Sequence, residues 1–294
     1  PKNTRTPGAP GSRNDRGKQP KGFDKIIENQ FRFHYDTTLI KKCPHVIKPT
    51  DIISITEKVH GTSGISAYVL CNYPRRLRSK IAWWICTKLF NLTVEGTKEY
   101  YPEYGYIYAS RTVIKNKYIN KKANDGFYGV DVWKYADDIV RTWLQKGMTA
   151  YYEIVGFLPN GGYIQKGYDY GCIPPKEGDV YQYGIHFKVL IYRLTLTNVD
   201  GNVHEFSARE VQQWCFKHGL DPVKEYYYGL AKDLYPDLDP VDPNWNTLFW
   251  ERMSNDKKFY DIMDSDAVQT CLDIAFDLSA MGRYEDIISL LEGA

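Results

Sequence analysis

The stretch Ile55-Thr56-Glu57-Lys58-Val59-His60-Gly61-Thr62-Ser63-Gly64 sets one lysine between two alternating apolar runs, with a carboxylate before it and an imidazole two places after. A lysine amine attacks an electrophile only when deprotonated, and at an ordinary pKa of ~10.4 it rarely is. Partial burial, neighbouring cations or a bound metal lower that value, so a lysine at the mouth of a sheet pocket is a candidate nucleophile. Gly61 and Gly64 follow, where the backbone must turn or approach a ligand closely. A strand–loop–strand presents an amine in this way; the plainer alternative for a lone K-x-x-G is a solvated lysine in a hairpin.

Other residues of chemical interest lie downstream. Tyr106-Ile107-Tyr108-Ala109-Ser110-Arg111-Thr112-Val113 reads as a strand that delivers Arg111. Thr149-Ala150-Tyr151-Tyr152-Glu153-Ile154-Val155-Gly156 is strand-like and sets a carboxylate in a β-branched and aromatic run. Such a carboxylate is costly facing inward unless paired, hydrogen-bonded or near a cation, and costs nothing facing outward. Lys188-Val189-Leu190-Ile191-Tyr192-Arg193-Leu194 predicts a buried strand. Arg75, Arg76, Arg78 and Lys80 precede the aromatic run Ile81-Ala82-Trp83-Trp84-Ile85-Cys86. Basic residues beside aromatics grip a nucleic-acid backbone and stack on bases, or settle into a membrane interface; the alternative is a helix whose Trp face packs on the sheet.

These residues need elements to hold them. A length of 294 residues, 43% hydrophobic and 25% charged, fits one large domain or one domain with an appendage. A net charge of +2 creates no global field for nucleic acid, so local patches matter more. Cysteines at 43, 71, 86, 172, 215 and 271 are scattered without a C-x-x-C, against a zinc site or disulfide framework and for free thiols in a reducing compartment. The longest apolar stretch, Ile81 to Leu92, is too short to span a bilayer and carries Lys88. The first residues are polar and basic, without the apolar core of a signal peptide. A soluble cytoplasmic protein without a membrane span is expected.

In chain order, residues 1–22 predict a disordered basic tail. Phe23, Ile26, Ile27 and Phe31 predict a short amphipathic helix. Ile52, Ile53 and Ile55 lead into the lysine loop, and Ile65, Ala67 and Val69 alternate out of it. Val132, Trp133, Ala136, Ile139, Val140 and Leu144 predict a helix over about 130–145, ended by Gly147. A Gly-rich loop runs from Leu158 to Tyr170, and Asp200-Gly201 makes a hairpin turn. Ser207 with Glu210 forms a capping box for a helix whose face is Val211, Trp214 and Cys215 or Phe216. Leu234 to Asn246 is acidic, Pro-rich and loop-like. Two amphipathic helices, Ser265 to Ala280 and Tyr284 to Leu291, form an appendage over 261–294 expected to dock on a protein partner.

Glu57-Lys58-Val59-His60-Gly61-Thr62 resembles motif I of the covalent nucleotidyltransferases, the superfamily of DNA ligases, RNA ligases and mRNA capping enzymes, which carry a nucleophilic lysine in K-x-[D/H/N]-G. Histidine in the third place, with glutamate before the lysine, is similar to the ATP-dependent RNA ligases of the nick-sealing, RNA ligase 2 type. Tyr108-Ala109-Ser110-Arg111 resembles the family's arginine motif, Tyr152-Glu153-Ile154-Val155-Gly156 its glutamate-glycine strand, and Val189-Leu190-Ile191-Tyr192-Arg193-Leu194 its purine-stacking aromatic motif. Weak signals in the right order are stronger together than any one alone.

The resemblance implies an α+β fold: a nucleotidyltransferase (ATP-grasp-like ligase adenylation) domain over 23–260, built on antiparallel sheets with flanking helices, plus the short C-terminal helical segment. It implies ATP and Mg2+ (or Mn2+) as cofactors and RNA with nicked or broken ends as partner, hence RNA repair. Lys58 would take AMP from ATP, pass it to an RNA 5′-phosphate, and a 3′-hydroxyl would then seal the strand. Glu57 and Gly61 would help position the nucleotide, and His60 would serve a step after lysine adenylation. Arg111 would offset phosphate charge, Glu153 would act near the ribose or metal, and Tyr192 would stack on adenine. Ser63 stands where the family has asparagine. The family's E-G-x-[V/I] strand and K-x-K strand are not found between Leu194 and Ala294, and Glu177-Gly178-Asp179-Val180 precedes Tyr192. The alternatives are a non-catalytic nucleotide- or RNA-binding module derived from a ligase and a capping-type guanylyltransferase, the latter disfavoured because His60 replaces the usual aspartate.

Overall fold

A computed structural model describes residues 25–34, 37, 44–74, 84, 85, 88, 100–116 and 126–256. These fall into two compact units, residues 25–34 with 60–221 and residues 44–59 with 222–256. The architecture is a mixture of sheets and few helices, compatible with the α+β class expected from sequence. The basic tail, the cluster Arg75, Arg76, Arg78 and Lys80, and both C-terminal helices lie outside the described residues.

The first unit is a sheet in the order β3-β2-β4-β5-β6, formed by β2 (Thr62–Pro74), β3 (Tyr100–Ser110), β4 (Met148–Gly156), β5 (Phe187–Thr197) and β6 (Val203–Glu205). Neighbours along this order pair antiparallel. A short β7 (Asp221–Pro222) also pairs with β5. The alternating residues of β2 are buried as the period-2 pattern requires. Ile65, Ala67 and Val69 pack with Ile107, Ala109, Tyr151, Ile26 and Phe31 on one face. On the opposite face Tyr152, Ile154, Val189, Ile191 and Leu194 meet the helices.

Helix α1 (Val132–Val140) starts at Asp131, whose side chain accepts from the Lys134 N–H and, through its other oxygen, from the Tyr108 hydroxyl at 3.0 Å. One aspartate thus caps the helix and ties it to β3. Val132, Trp133, Ala136 and Val140 lie on its buried face. Full burial of each larger side chain of this set stabilises by roughly 1.5–3 kcal/mol. Helix α2 (Ala208–His218) has the expected Ser207–Glu210 capping box, buries Val211 and Cys215, and leaves Phe216 exposed.

Several expectations change. Among the described residues no α-helix forms over 26–31, and Phe23 lies outside them: Ile26 bridges to Cys71, the Ile27 N–H donates to Leu70 O at 3.2 Å, and Asn29 turns the chain with φ 62°. Ile26 and Phe31 are buried against β2 without a helix between them, and tertiary pairing overrides the helical spacing. Helix α1 is shorter than its apolar pattern and continues as a 3-10 turn over Arg141–Trp143. Gly147 does not cap it; with φ 87° it turns the chain into β4. Strand β3 ends at Ser110, where the Ser110 N–H donates to Val113 O and the chain doubles back so that Ile114 bridges to Ala109.

The second unit pairs β1 (Ile52–Thr56) antiparallel with β8 (Glu225–Leu230). Ile53 and Ile55 of β1 pack with Trp245, Phe249 and Met253 of α4 (Trp245–Asn255), and with Ala231 at the start of the four-residue α3 (Ala231–Leu234). Trp245, Phe249 and Met253 recur every four residues, which puts them on one helix face.

Candidate functional site

Lys58 and Glu57 follow β1 directly in the second unit, and both are half-buried. The lysine therefore does lie in a loop between strands, as predicted. The flanking strands β1 and β2 belong to different sheets, so the segment is not a hairpin. The Glu57 N–H donates to Lys224 O at 2.8 Å. Burial raises the Glu57 pKa, and the nearby Lys224 ammonium opposes that shift.

His60 and Gly61 belong to the first unit. The His60 N–H donates to the Tyr170 hydroxyl at 2.6 Å, and the His60 ring stacks on Tyr168 with centroids 4.7 Å apart. A Cβ at Gly61 would stand 2.4 Å from Ile154 O, and one at Gly64 would stand 2.2 Å from Cε2 of Tyr152. Neither glycine has a positive φ. Their small size permits close approach to β4, and neither is needed for a left-handed turn.

Glu153 lies in β4 opposite Ser63 of β2 and Leu190 of β5. It is half-buried with one carboxylate oxygen buried, so the outward, fully solvated alternative does not hold. Directly opposed residues share a face, so Glu153 and Ser63 lie on the same side of the sheet as Tyr151 and Ile65.

Tyr192 reaches that face by a break in register. Tyr151 pairs with Arg193 while Tyr152 pairs with Ile191, leaving Tyr192 as the extra residue of a β-bulge. Its half-buried ring packs with the cluster of Ile65, Ala67 and Tyr151, and the His34 ring meets it edge-on at 5.5 Å. Burial lifts the Tyr192 hydroxyl above the ordinary phenol range, and the negative Glu153 carboxylate adds to the shift. The two residues from separate motifs are therefore brought together.

Arg111 is placed differently. It is exposed in the turn after β3, beyond the strand it was expected to end. Among the described residues no group of three or more His, Cys, Asp or Glu side chains is arranged to hold a metal ion. No described helix is long and apolar enough to cross a membrane.

The sequence reading misses several residues that shape the site. Trp133 donates its Nε1–H to Ser63 O at 2.9 Å and so ties α1 to the start of β2; the Lys115 ammonium lies 4.1 Å from the Trp133 ring centroid. Tyr168 and Tyr170 lie in the Gly-rich loop, where only the Tyr-Asp-Tyr-Gly texture marks them. No model of a known protein family matches the sequence, and no curated protein matches it at a significant level.

Proposed function

We propose that the protein is an ATP-dependent RNA ligase with a nucleotidyltransferase fold, acting in RNA repair in the cytoplasm. One observation carries the reading: Glu153 and Tyr192, from separate sequence motifs, lie on one face of the sheet on the neighbouring strands β4 and β5. Lys58 and His60 stand two residues apart in the sequence, as the resemblance requires.

In this reading the Lys58 amine, once deprotonated, attacks the α-phosphorus of ATP. The Nζ–P bond forms as the bond to the pyrophosphate oxygen breaks. An RNA 5′-phosphate oxygen then displaces lysine and takes the AMP, and a 3′-hydroxyl loses its proton, attacks the 5′-phosphorus and expels AMP. The ring of Tyr192 would stack on adenine, Glu57 and Gly61, close to Lys58 in the sequence, would help position the nucleotide, and the Arg111 guanidinium would neutralise phosphate charge. Magnesium asks for only one or two protein carboxylates alongside phosphate and water, which the Glu153 carboxylate meets without a larger cluster. The ion would supply charge neutralisation on the phosphates.

Incubation with Mg2+ and ATP labelled at the α-phosphate is expected to yield a covalent protein–AMP adduct that Lys58→Ala abolishes. Wild-type protein that takes no label from ATP or GTP overturns the enzyme reading. That outcome leaves a nucleotide- or RNA-binding module, which the exposed position of Arg111 favours. Label from GTP alone points instead to guanylyl transfer.

A further inference from the structure

Beyond the chemistry of Lys58, one cluster shows unusual investment in the orientation of a single histidine. His60 is held from two directions by one loop. Its N–H donates to the Tyr170 hydroxyl at 2.6 Å, while its ring lies on the Tyr168 ring at 4.7 Å with planes 28° apart. The Tyr168 and Tyr170 rings are themselves near-parallel, 6.2 Å apart.

The loop is anchored on its other side. Tyr170 O accepts from Lys188 Nζ of β5 at 2.9 Å. Just beyond, the Cys172 N–H donates to Asp169 O at 2.9 Å. The buried Cys172 packs so closely on Gly156 that a Cβ there would stand 2.8 Å from its Sγ. The missing side chain of Gly156 permits this approach at the end of β4, and its φ of 99° likewise favours glycine.

Tyr170 itself adopts φ 52°, the left-handed region that side chains other than Asn, Asp and Gly seldom enter. Surrounding structure must hold such a residue in place, and strain of this kind gathers at functional sites. Glycine would relieve the backbone but would remove the hydroxyl that meets His60.

We propose that Tyr168 and Tyr170 are positioning residues for His60. Tyr170 sets its backbone, Tyr168 sets its ring plane, and Lys188 fixes Tyr170 to β5. This rests on the ligase reading, in which His60 serves a step after Lys58 is adenylated. The clasp therefore affects sealing more than lysyl-AMP formation.

Two measurements test it together. The first follows lysyl-AMP formation and, separately, sealing of a nicked RNA duplex already carrying the 5′-adenylate. Tyr170→Phe removes one hydroxyl and keeps the ring; sealing should fall about tenfold, the scale of one hydrogen bond, with adenylation within about twofold of wild type. Tyr168→Phe keeps the stack and should preserve sealing, whereas Tyr168→Ala should not. The second is the NMR signal of the His60 ring, assigned by its loss in His60→Gln. Ring current from Tyr168 should displace it, Tyr168→Phe should preserve the displacement, and Tyr168→Ala should remove it.

Equal loss of both catalytic steps in Tyr170→Phe, or no loss in either, overturns the positioning role. An unchanged His60 signal in Tyr168→Ala overturns the clasp itself. Wild-type protein that forms no adduct and seals no pre-adenylated nick overturns the ligase reading, while the NMR result still decides whether the loop orients His60.

Discussion

The Arg193 guanidinium grips the Glu205 carboxylate through two hydrogen bonds, Nε to Oε1 at 2.5 Å and Nη2 to Oε2 at 2.7 Å. Its Cζ also lies 4.6 Å from the centroid of the Tyr151 ring. The side chains are 12% and 11% exposed, so little water reaches the pair. Glu205→Ala leaves a guanidinium with its main counter-charge removed. Unfolding free energy should fall by about 3–5 kcal/mol, the cost of breaking a buried pair. Urea titration checks this, and a midpoint within error of wild type would contradict it. Replacing both residues by apolar ones, Arg193→Met with Glu205→Leu, should recover much of the loss.

Asp137 makes stability depend on pH. Its carboxylate lies on the buried face of α1, accepts from Ser66 Oγ at 2.8 Å, and lies 3.4 Å from Arg141. Burial pushes its pKa from 3.8 up to about 6, despite the hydrogen bond and the arginine. The folded state therefore binds a proton more tightly than the unfolded chain, and this contribution is fully present below pH 3.8. It is lost as pH rises through about 6. The total is on the order of 3 kcal/mol at 1.36 kcal/mol per pKa unit. Asp137→Asn keeps the acceptor for Ser66 and should flatten the fall in stability across this window. An identical pH profile in wild type and variant would exclude Asp137 as its source.

Gly64 and Tyr152 are coupled by space alone. Gly64→Ala drives a methyl into a ring that is fully buried and whose hydroxyl lies 2.9 Å from Ser66 Oγ. Overpacking of this kind costs about 1–3 kcal/mol. Tyr152→Leu alone should destabilise, yet the double variant should be more stable than the sum of the two single losses allows. Strict additivity in the double-mutant cycle would mean that the ring moves aside without cost.

Tyr192 separates stacking from hydroxyl chemistry. In the proposed reading, Tyr192→Ala should weaken ATP in the adenylation assay by roughly ten- to a hundredfold, the 1–3 kcal/mol of a base on an aromatic ring. Tyr192→Phe should retain most of it. Comparable weakening by Phe and Ala would shift the role from the ring to the hydroxyl beside Glu153.

Arg75, Arg76, Arg78 and Lys80 offer a test independent of nucleotide chemistry. If they contact RNA phosphates, neutralising all four should weaken RNA binding and reduce the slope of log affinity against log salt, while adenylation persists. An unchanged slope argues against phosphate contacts.

Local pattern carries much of the first unit. The alternation of Ile65, Ala67 and Val69, the spacing of Val132, Trp133, Ala136 and Val140, and the Ser207–Glu210 box each express a short-range rule, and the structure follows them. The second unit is harder to read. Tyr226, Tyr227 and Tyr228 in β8 are all half-buried and show no alternation, while the Trp245, Phe249 and Met253 stripe begins within an acidic, Pro-rich segment that reads as loop. Lys58, His60, Glu153 and Tyr192 can be picked out by motif, but the contact of Tyr170 with His60 spans 110 residues and leaves no local trace. The strand end before Arg111 is missed for a related reason: strand propensity continues through Val113, while the Ser110–Val113 hydrogen bond reverses the chain.

The extra place taken by Tyr192 divides β5 into two strands of opposite phase. Up to Ile191 the odd-numbered residues Phe187, Val189 and Ile191 enter the helix-covered core; beyond the bulge the even-numbered Leu194 does so. Each half can thus satisfy its own neighbours, one setting Lys188 and Leu190 beside Glu153's face and the other presenting Arg193 to Glu205. Deleting a single residue near the junction would do more than shorten the strand. It would exchange inside for outside along everything that follows, sending Leu194 out of the core and the Arg193 charge into it.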